Sequence, residues 1–427
     1  MTRGHALIGA VCALTGCWSE EPLIDDTFTE DQWTFLRREL QLPQIEDCPE
    51  RFRGRNHCGI ALTFGRELFF DPALSGPVLI DDPAAPGELG ETGTISCAGC
   101  HDPGSYFVDT RSQPRNVSIG AAAKRTKHNA LSVLNLPYKK ALVERDCTES
   151  EDLLCNRVFS WTGKYPTAGE VLLIAGPNAM NAPAPRVAIT VRDNPSYFNQ
   201  YVTLFDGVPP VCTPDPMIPN SFLCTCPPDQ VGPCHTPDEV MGNVGQVFDA
   251  YLDKLTSTSS PFDRYLASAV VDGRTAPVDG FGDAEKRGLS VFIGKGMCID
   301  CHKGPLLSDL KFHNTGVPQT GANVVPTDGG VGDEMDLDAD VRAARAGQFL
   351  TPPLRHVAET APYMHAGQLG TLAEVIEYYR RGGSPDGFVG IKDPRIQPLE
   401  IDDDEARDLE SFLKSLTGPE DPFWAAP

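Results

Sequence analysis

Two short runs carry the chemistry of this chain: Cys97-Ala-Gly-Cys100-His101 and Cys298-Ile-Asp-Cys301-His302. On a helical turn, cysteines three apart and a histidine one further on project to the same side. Both sulfurs can then form thioethers to one porphyrin while the imidazole binds its iron, so the spacing reads as c-type haem attachment. The alternatives are chance, a zinc site or a redox C-x-x-C pair. Zinc would want two C-x-x-C pairs without the trailing histidines, or a closed Cys/His set. Recurrence of the whole run, histidine included, favours two covalently bound c-type haems.

Around these runs the chain must supply cores. At 427 residues it is long enough for two sizeable ones. Lys+Arg 36 against Asp+Glu 59 gives a net charge of −23. That balance argues against nucleic acid or an anionic membrane surface as partner. It suits a cationic redox partner, or simply a solvated acidic face. Met1 to Gly16 has the form of an export signal: Arg3 as the basic region, Ala6 to Leu14 as the apolar one, and Leu14-Thr-Gly-Cys17 resembling a lipoprotein processing box. Cleavage before Cys17 would leave a lipidated N-terminus, so the expectation is a periplasmic or cell-envelope protein, lipid-anchored and touching the membrane only through that lipid. No other segment approaches transmembrane length.

Of the 14 cysteines, four serve haem, Cys12 lies in the signal and Cys17 takes the lipid. The remainder is even: Cys48, Cys58, Cys147, Cys155, Cys212, Cys224, Cys226 and Cys234. In an exported chain this implies up to four disulfides. Close spacing favours Cys48–Cys58 and Cys147–Cys155, and leaves the pairing of the last four open.

The fold class expected is mainly α, with two cytochrome c-like haem domains, long loops and a disulfide-stapled insertion. Residues 1–17 read as the signal and 18–59 as an N-terminal tether and helix. Residues 60–245 read as the first haem domain, including the Pro/Cys-rich insertion 207–237, and 246–427 as the second. Thr29-Glu-Asp-Gln32 resembles a capping box opening a helix to about Leu40. Gly65 to Phe69 and Gly288 to Phe292 repeat a Gly-x-x-x-Phe spacing ahead of the two haem runs, a weak internal duplication. Residues 76–93 are a Gly/Pro-rich insertion, and 323–345 read as loop. Thr371-Leu-Ala-Glu374 is a capping box, and Gly382 is placed to stop its helix. Leu372, Val375, Ile376 and Tyr379 then form one buried stripe, with Tyr378 on the polar side. The last helix runs from Asp402 to about Leu416, with Ala406, Leu409, Phe412, Leu413 and Leu416 on its apolar face.

Leu68-Phe-Phe-Asp-Pro-Ala-Leu-Ser75, Ile95-Ser-Cys-Ala-Gly-Cys-His-Asp-Pro103, Asn129-Ala-Leu-Ser-Val-Leu-Asn135, Phe349-Leu-Thr-Pro-Pro-Leu-Arg355 and Thr360-Ala-Pro-Tyr-Met-His-Ala-Gly367 together resemble the bacterial di-haem cytochrome c peroxidase and MauG superfamily. The resemblance covers roughly residues 60–418. It implies one haem per domain, one iron reacting with hydrogen peroxide and the other passing electrons to it.

The resemblance also assigns ligands. Typical peroxidases close the resting peroxidatic haem with a histidine eight residues before the motif asparagine, and here that position is Ala121. The first haem is then expected to be five-coordinate on His101, with His128 a nearby alternative ligand that is better read as hydrogen-bonded or packed. At the second haem the family's methionine position is occupied by Tyr379, as in MauG-like members, which implies a His302–Tyr379 haem of low potential; the bland reading is a core tyrosine. Trp161, in Phe159-Ser-Trp-Thr-Gly163, falls on the inter-haem tryptophan, an electron relay or else a core aromatic. Asn129, Thr360 and Pro362 fall on the family's calcium contacts, implying one calcium ion. One departure stands out: Gly176-Pro-Asn-Ala-Met180 puts Ala179 where the family carries a distal glutamate. Glu170, nearest in sequence, reads as a capping residue.

Three functions fit these residues. The first is a MauG-like oxidase that uses peroxide to oxidise a protein or other substrate at a distance. The second is a cytochrome c peroxidase fed by a small redox protein, and the third a di-haem electron carrier. Ala121 and Tyr379 favour the first over the second, and Ala179 gives the third its standing.

Overall fold

The computed structural model describes residues 23–427 except 46–47, 55, 112–116, 123–124, 149, 151, 166, 219–220 and 229–231, and at 168 and 172–175 the backbone only. The signal and Cys17 lie outside the described residues. In chain order the first helices are α1 (Glu30–Leu40), α2 (His57–Phe70), α3 (Leu136–Cys147), α4 (Ala168–Ala179), α5 (Ala184–Asp193), α6 (Pro195–Leu204) and α7 (Pro237–Leu252). The second half holds α8 (Pro261–Ala267), α9 (Asp283–Ile293), α10 (Ala339–Ala344), α11 (Leu372–Arg380) and α12 (Asp403–Lys414). The strands pair only as two-stranded antiparallel ribbons: β1 (Val211–Pro214) with β2 (Phe222–Thr225), β3 (Val270–Val271) with β4 (Arg274–Thr275), and β5 (Phe312–His313) with β6 (Phe349–Leu350). The chain is mostly helical, as its patterning predicts.

The Gly-x-x-x-Phe repeat marks the framework of each half. In the first, α2 crosses α7 so closely that a Cβ on Gly65 would lie 2.0 Å from Val247 O. In the second, α9 crosses α12, and a Cβ on Gly288 would lie 1.9 Å from Asp408 O. Each glycine therefore sets the interhelical distance, and Phe69 and Phe292 one turn on are buried in the respective cores. Gly65→Ala or Gly288→Ala should destabilise its half by about 1–3 kcal/mol, because the helices must part to admit a methyl group. Denaturant unfolding of each variant checks this, and a midpoint equal to the parent's would mean the crossing is slack.

The helix termini follow local chemistry. Thr29, Thr371 and Asp402 each accept from the N3 backbone N–H while Gln32, Glu374 and Glu405 reach back to the cap, giving the reciprocal box. Gly382 stands at φ +77°, the left-handed stop expected after α11. On α12, Leu409, Phe412 and Leu413 are buried against α9, with Leu416 just beyond.

Four expectations change. The segment before α1 is no tether over residues 23–29: Ile24 and Phe28 bridge each other and are buried in the second core. Asp25 is buried with them and is satisfied by Thr275 Oγ1 (2.6 Å), Thr275 N (2.9 Å), Tyr265 Oη (2.9 Å) and Lys286. The polar average of the segment concealed two well-placed apolar side chains. Residues 323–345 contain α10 within the loop. Tyr378 is buried rather than on the polar side, its hydroxyl donating to Thr315 O at 2.8 Å. Finally, α7 runs unbroken through residue 245, and side chains as far as Leu255 join the first core. We therefore propose the domain boundary between Leu255 and Phe262 rather than at 245–246.

The two close cysteine pairs form as expected, Cys48–Cys58 and Cys147–Cys155. The open question resolves as Cys212–Cys224, opposite each other across the β1–β2 ribbon, and Cys226–Cys234. A third core joins the halves: Tyr138, Leu142, Leu154 and Val158 pack with Leu306, Leu310, Phe312, Val331 and Leu350.

Candidate functional site

Both runs fold into the same turn. Cys97–Gly99 and Cys298–Asp300 are single 3₁₀ turns, and His101 N and His302 N donate back to Cys97 O (2.9 Å) and Cys298 O (2.8 Å). His101 Nδ1–H donates to Phe107 O at 3.1 Å, and His302 Nδ1–H to Leu307 O at 2.8 Å. A carbonyl can only accept, so each ring carries its proton on Nδ1 and offers the Nε2 lone pair, the disposition an iron ligand needs. Burial lowers both histidines from their ordinary pKa, keeping them neutral. Phe107 and Leu307 hold left-handed backbone, φ +62° and +50°, to aim those carbonyls.

Cys97, Cys100, Cys298 and Cys301 are free while the other eight described cysteines are paired. Burial pushes the Cys97 and Cys298 thiols up to about 12, and Cys100 and Cys301 to about 11. A redox dithiol needs the opposite, a depressed pKa. The set of half-buried neutral thiols beside a neutral, oriented histidine fits a covalently held haem at each run.

The second run opens on a cavity that Cys298, Cys301, His302 and Tyr379 all line. Leu372, Val375, Ile376 and Tyr379, the α11 stripe, form one wall of it. The stripe faces the cavity, and only Leu372 and Ile376 are fully buried. Burial raises the Tyr379 phenol above its ordinary pKa, with the Thr315 side chain acting in the opposite direction. Its neighbour Tyr378 is spent on Thr315 O and the Ser384 N–H, so of the pair only Tyr379 is turned to the cavity. Two methionines, Met297 and Met364, line the cavity as well. His365 closes another side, stacked on Phe349 at 3.8 Å and set between Gln319 Oε1 and Gln368 Nε2. Burial and the nearby His128 push it down to about 3, so it stays neutral.

At the first run, Arg111 Nη2 lies 3.2 Å from both Cys100 Sγ and Ile119 O, tying the Ile119–Ala122 segment to the attachment turn. Ala121 is fully buried and its carbonyl accepts from Leu79 N at 2.8 Å. Ala179 stands against the same segment: Ala122 N donates to Ala179 O at 3.3 Å, and a Cβ on Gly120 would lie 2.0 Å from that oxygen. Positions 121 and 179 are thus neighbours through backbone contacts, and Ala121 shares the first core with Met180. His128 is turned elsewhere, its Nε2 2.8 Å from Asp328 Oδ2. Burial raises the Asp328 carboxyl, but the bond and charge of His128, the Gly330 N–H and His365 together outweigh it, and the net pKa is lowered. Glu170 sits at N3 of α4 with its N–H on Thr167 Oγ1 at 3.1 Å, a capping position.

Trp161 lies between the halves. It lines the second cavity and also a smaller one of about 90 Å³ that reaches Val108 and Leu131 beside the first run. Its indole N–H donates to Asn129 O at 2.8 Å. Asn129, Thr360 and Pro362 line that smaller cavity together, with Asn129 Nδ2 2.7 Å from Pro362 O. These are neutral oxygen groups, no carboxylate is among the lining residues, and Lys139 is. Such a donor set suits calcium only weakly, since affinity rises with ligand charge.

Spacing could not have supplied several of these residues. Phe107 O, Leu307 O, Arg111 and the His128–Asp328 pair carry no local motif, and Lys139 is one cation in a run of two. The haem load is directly testable. Intact mass of the denatured mature protein should show two covalently bound haems, and His101→Gly or His302→Gly should leave both attached while changing the spectrum of one site. A mass corresponding to one haem would remove one of the sites.

Residues 60–270 match the model of the di-haem cytochrome c peroxidase family. The chain is 27% identical over 373 residues to cytochrome-c peroxidase IdrP2 of Denitromonas iodatirespirans, covering 83% of this chain and 80% of that one. It is 27% identical over 357 residues to the methylamine utilization protein MauG of Methylorubrum extorquens, covering 83% and 77%. The fold is shared with a MauG-like protein associated with microbial copper homeostasis (TM-score 0.58, 24% identity, 91% and 97% covered). It is also shared with the diheme peroxidase BthA from Burkholderia thailandensis (TM-score 0.59, 21% identity, 88% and 90% covered). The chain belongs to the di-haem cytochrome c peroxidase and MauG family, and it is an oxidoreductase of that class.

Proposed function

We propose that this is an exported di-haem c-type oxidoreductase of the MauG-like branch. It uses hydrogen peroxide at an open haem held by Cys97, Cys100 and His101, and exchanges electrons with a second haem held by Cys298, Cys301, His302 and Tyr379. The haems, when bound, supply the redox-active iron; the residues of the chain bind, orient and insulate them. His101 and His302 present Nε2 while a backbone carbonyl fixes the other nitrogen. Trp161, lining both cavities, is the side chain placed to carry an electron or hole between the halves. The observation that carries the reading is Tyr379 on the cavity wall shared with Cys298, Cys301 and His302.

The oxidised partner would be a protein or a small redox protein, met outside the cytoplasm; no helix among the described residues is long and apolar enough to cross a membrane. Attachment would be through lipid on Cys17. A calcium ion on Asn129, Thr360 and Pro362 belongs to the reading as a weakly held ligand. A cytochrome c peroxidase drawing electrons from a small redox protein is the nearest enzymatic alternative, and several relatives carry that name. Ala121 and Ala179 favour a further alternative, a di-haem electron carrier without peroxide chemistry. Adding peroxide to the diferric protein, followed by absorption and electron paramagnetic resonance, separates the readings. The MauG-like reading expects both haem signals to change on mixing. A first haem inert to peroxide would leave the carrier, and a change confined to the first haem would leave the simple peroxidase.

A further inference from the structure

The Pro/Cys-rich insertion sets one of its side chains on the first core. Val208 N donates to Pro233 O at 3.0 Å and His235 N to Val208 O at 2.9 Å, and the Cys226–Cys234 disulfide closes the segment just before His235. A Cβ on Gly207 would lie 2.4 Å from His235 Nε2, so only glycine leaves room for the ring. The imidazole meets Tyr201 of α6, which is fully buried in that core, with 2.6 Å between Tyr201 Oη and His235 Nδ1.

A third residue fixes the direction of that bond. Asn243 of α7 donates from Nδ2 to Tyr201 Oη at 2.8 Å, and the same nitrogen lies 3.5 Å from His235 Nδ1. A hydrogen on Nδ1 would face the amide N–H, so Nδ1 is the acceptor and Tyr201 donates to it. Burial, with the charge of Glu239 adding to it, pushes the Tyr201 phenol up to about 12 while Asn243 acts in the opposite direction, so the phenol is neutral at rest.

A buried phenol that loses an electron becomes a cation, which is costly there unless a base takes the proton. Tyr201 has such a base, and the other tyrosines of the first core do not. Tyr251 keeps its Oη buried with no partner among the described residues, Tyr106 donates to a backbone carbonyl, Gly418 O, and Tyr197 to the carboxylate of Asp71, a weaker base than imidazole. His235 is half-buried, so a proton it receives has a way on to water. Helix α7 joins the pair to the first attachment run: Asn243 stands against Tyr201, and Tyr251, about 12 Å further along the helix, is close enough to Cys97 to feel its charge.

We infer that Tyr201 is a redox-active side chain, a one-electron donor to the first haem with His235 as its proton acceptor. This rests on the proposed reaction with peroxide. Hydrogen peroxide takes two electrons and two protons and leaves as two waters. Tyr201 gives back one of those electrons, its O–H bond breaks, and the proton moves to His235 Nδ1, leaving a neutral tyrosyl radical beside an imidazolium. Tyr201 lines neither cavity that Trp161 lines, so this oxidising equivalent is held under the insertion, apart from the inter-haem route.

The test mixes the diferric di-haem protein with hydrogen peroxide, freezes it within milliseconds, and records haem absorption and electron paramagnetic resonance together. A tyrosyl signal should appear, change its splitting on ring-deuterated tyrosine, and show coupling to a histidine nitrogen in protein grown on isotopically labelled histidine. Tyr201→Phe should lose the signal while the peroxide-induced haem change persists, and His235→Gln should form it at least ~10²-fold more slowly. Should either variant not fold, the histidine coupling in the parent decides alone. A haem change without a tyrosyl radical, a radical that survives Tyr201→Phe, or one without histidine coupling would overturn this inference and leave the proposed function standing. Haem spectra that peroxide leaves unchanged would overturn the proposed reaction and this inference with it.

Discussion

Ala179→Glu is expected to speed the reaction of the diferric holoprotein with hydrogen peroxide by up to ~10²–10⁴, the usual worth of a positioned acid–base group. Breaking the O–O bond releases an oxygen that must be protonated as it leaves. Ala121, Ala179 and Met180 offer only methyl groups and a thioether for that task. The end of α4 fixes which position to change: Asn178 is exposed, Met180 is buried, and Ala179 between them stands against the Gly120–Ala122 segment tied to Cys100 through Arg111. A glutamate at 178 would point to water and one at 180 into the core. At 179 the carboxyl would sit half-buried against that segment, which raises its pKa toward the range useful for proton exchange near neutrality. Stopped-flow mixing of parent and variant with peroxide decides the matter. A parent that already reacts fast, unimproved by the glutamate, would show that a proton donor is supplied from elsewhere and that position 179 does not face peroxide.

Tyr379→Met should raise the reduction potential of the second haem by a few tenths of a volt, within the ~0.8 V span that axial ligands command, and should give a His–Met spectrum. The structure sharpens this test. Tyr379 lies on the cavity wall with Cys298, Cys301 and His302, while Tyr378 is committed to Thr315 O and Ser384 N. Tyr378→Phe should therefore leave the haem spectrum intact, and so should Met364→Leu, which removes the competing thioether on the same cavity. Burial holds the Tyr379 phenol protonated by itself, so phenolate character in the spectrum reports coordination rather than a pre-ionised side chain. Potentiometric titration reads the result. If Tyr379→Met changes neither potential nor spectrum, Tyr379 is a packing residue; if Met364→Leu changes both, the ligand is Met364.

The sequence by itself determined what depends on near neighbours along the chain. The repeat of Cys-x-x-Cys-His defines two attachment turns because three- and four-residue spacing fixes which side chains share a face. Capping boxes at Thr29, Thr371 and Asp402 located helix starts because their bonds close within one turn. Cys48–Cys58 and Cys147–Cys155 were legible because short loops close most readily, whereas Cys212, Cys224, Cys226 and Cys234 were ambiguous until the β1–β2 ribbon set two of them opposite each other. Tertiary structure decided everything that turns on which distant surfaces meet. It buried Tyr378 and left Tyr379 on the cavity, although helical periodicity alone put the former in solvent. It docked residues 23–29 on the second core by satisfying Asp25 with partners some 250 residues away. It brought Ala121 beside Ala179, spent His128 on Asp328, and set His235 on the Tyr201 phenol. Burial and charge compensation are properties of a packed neighbourhood, and no local pattern of residues encodes the neighbours that the other half of the chain will supply.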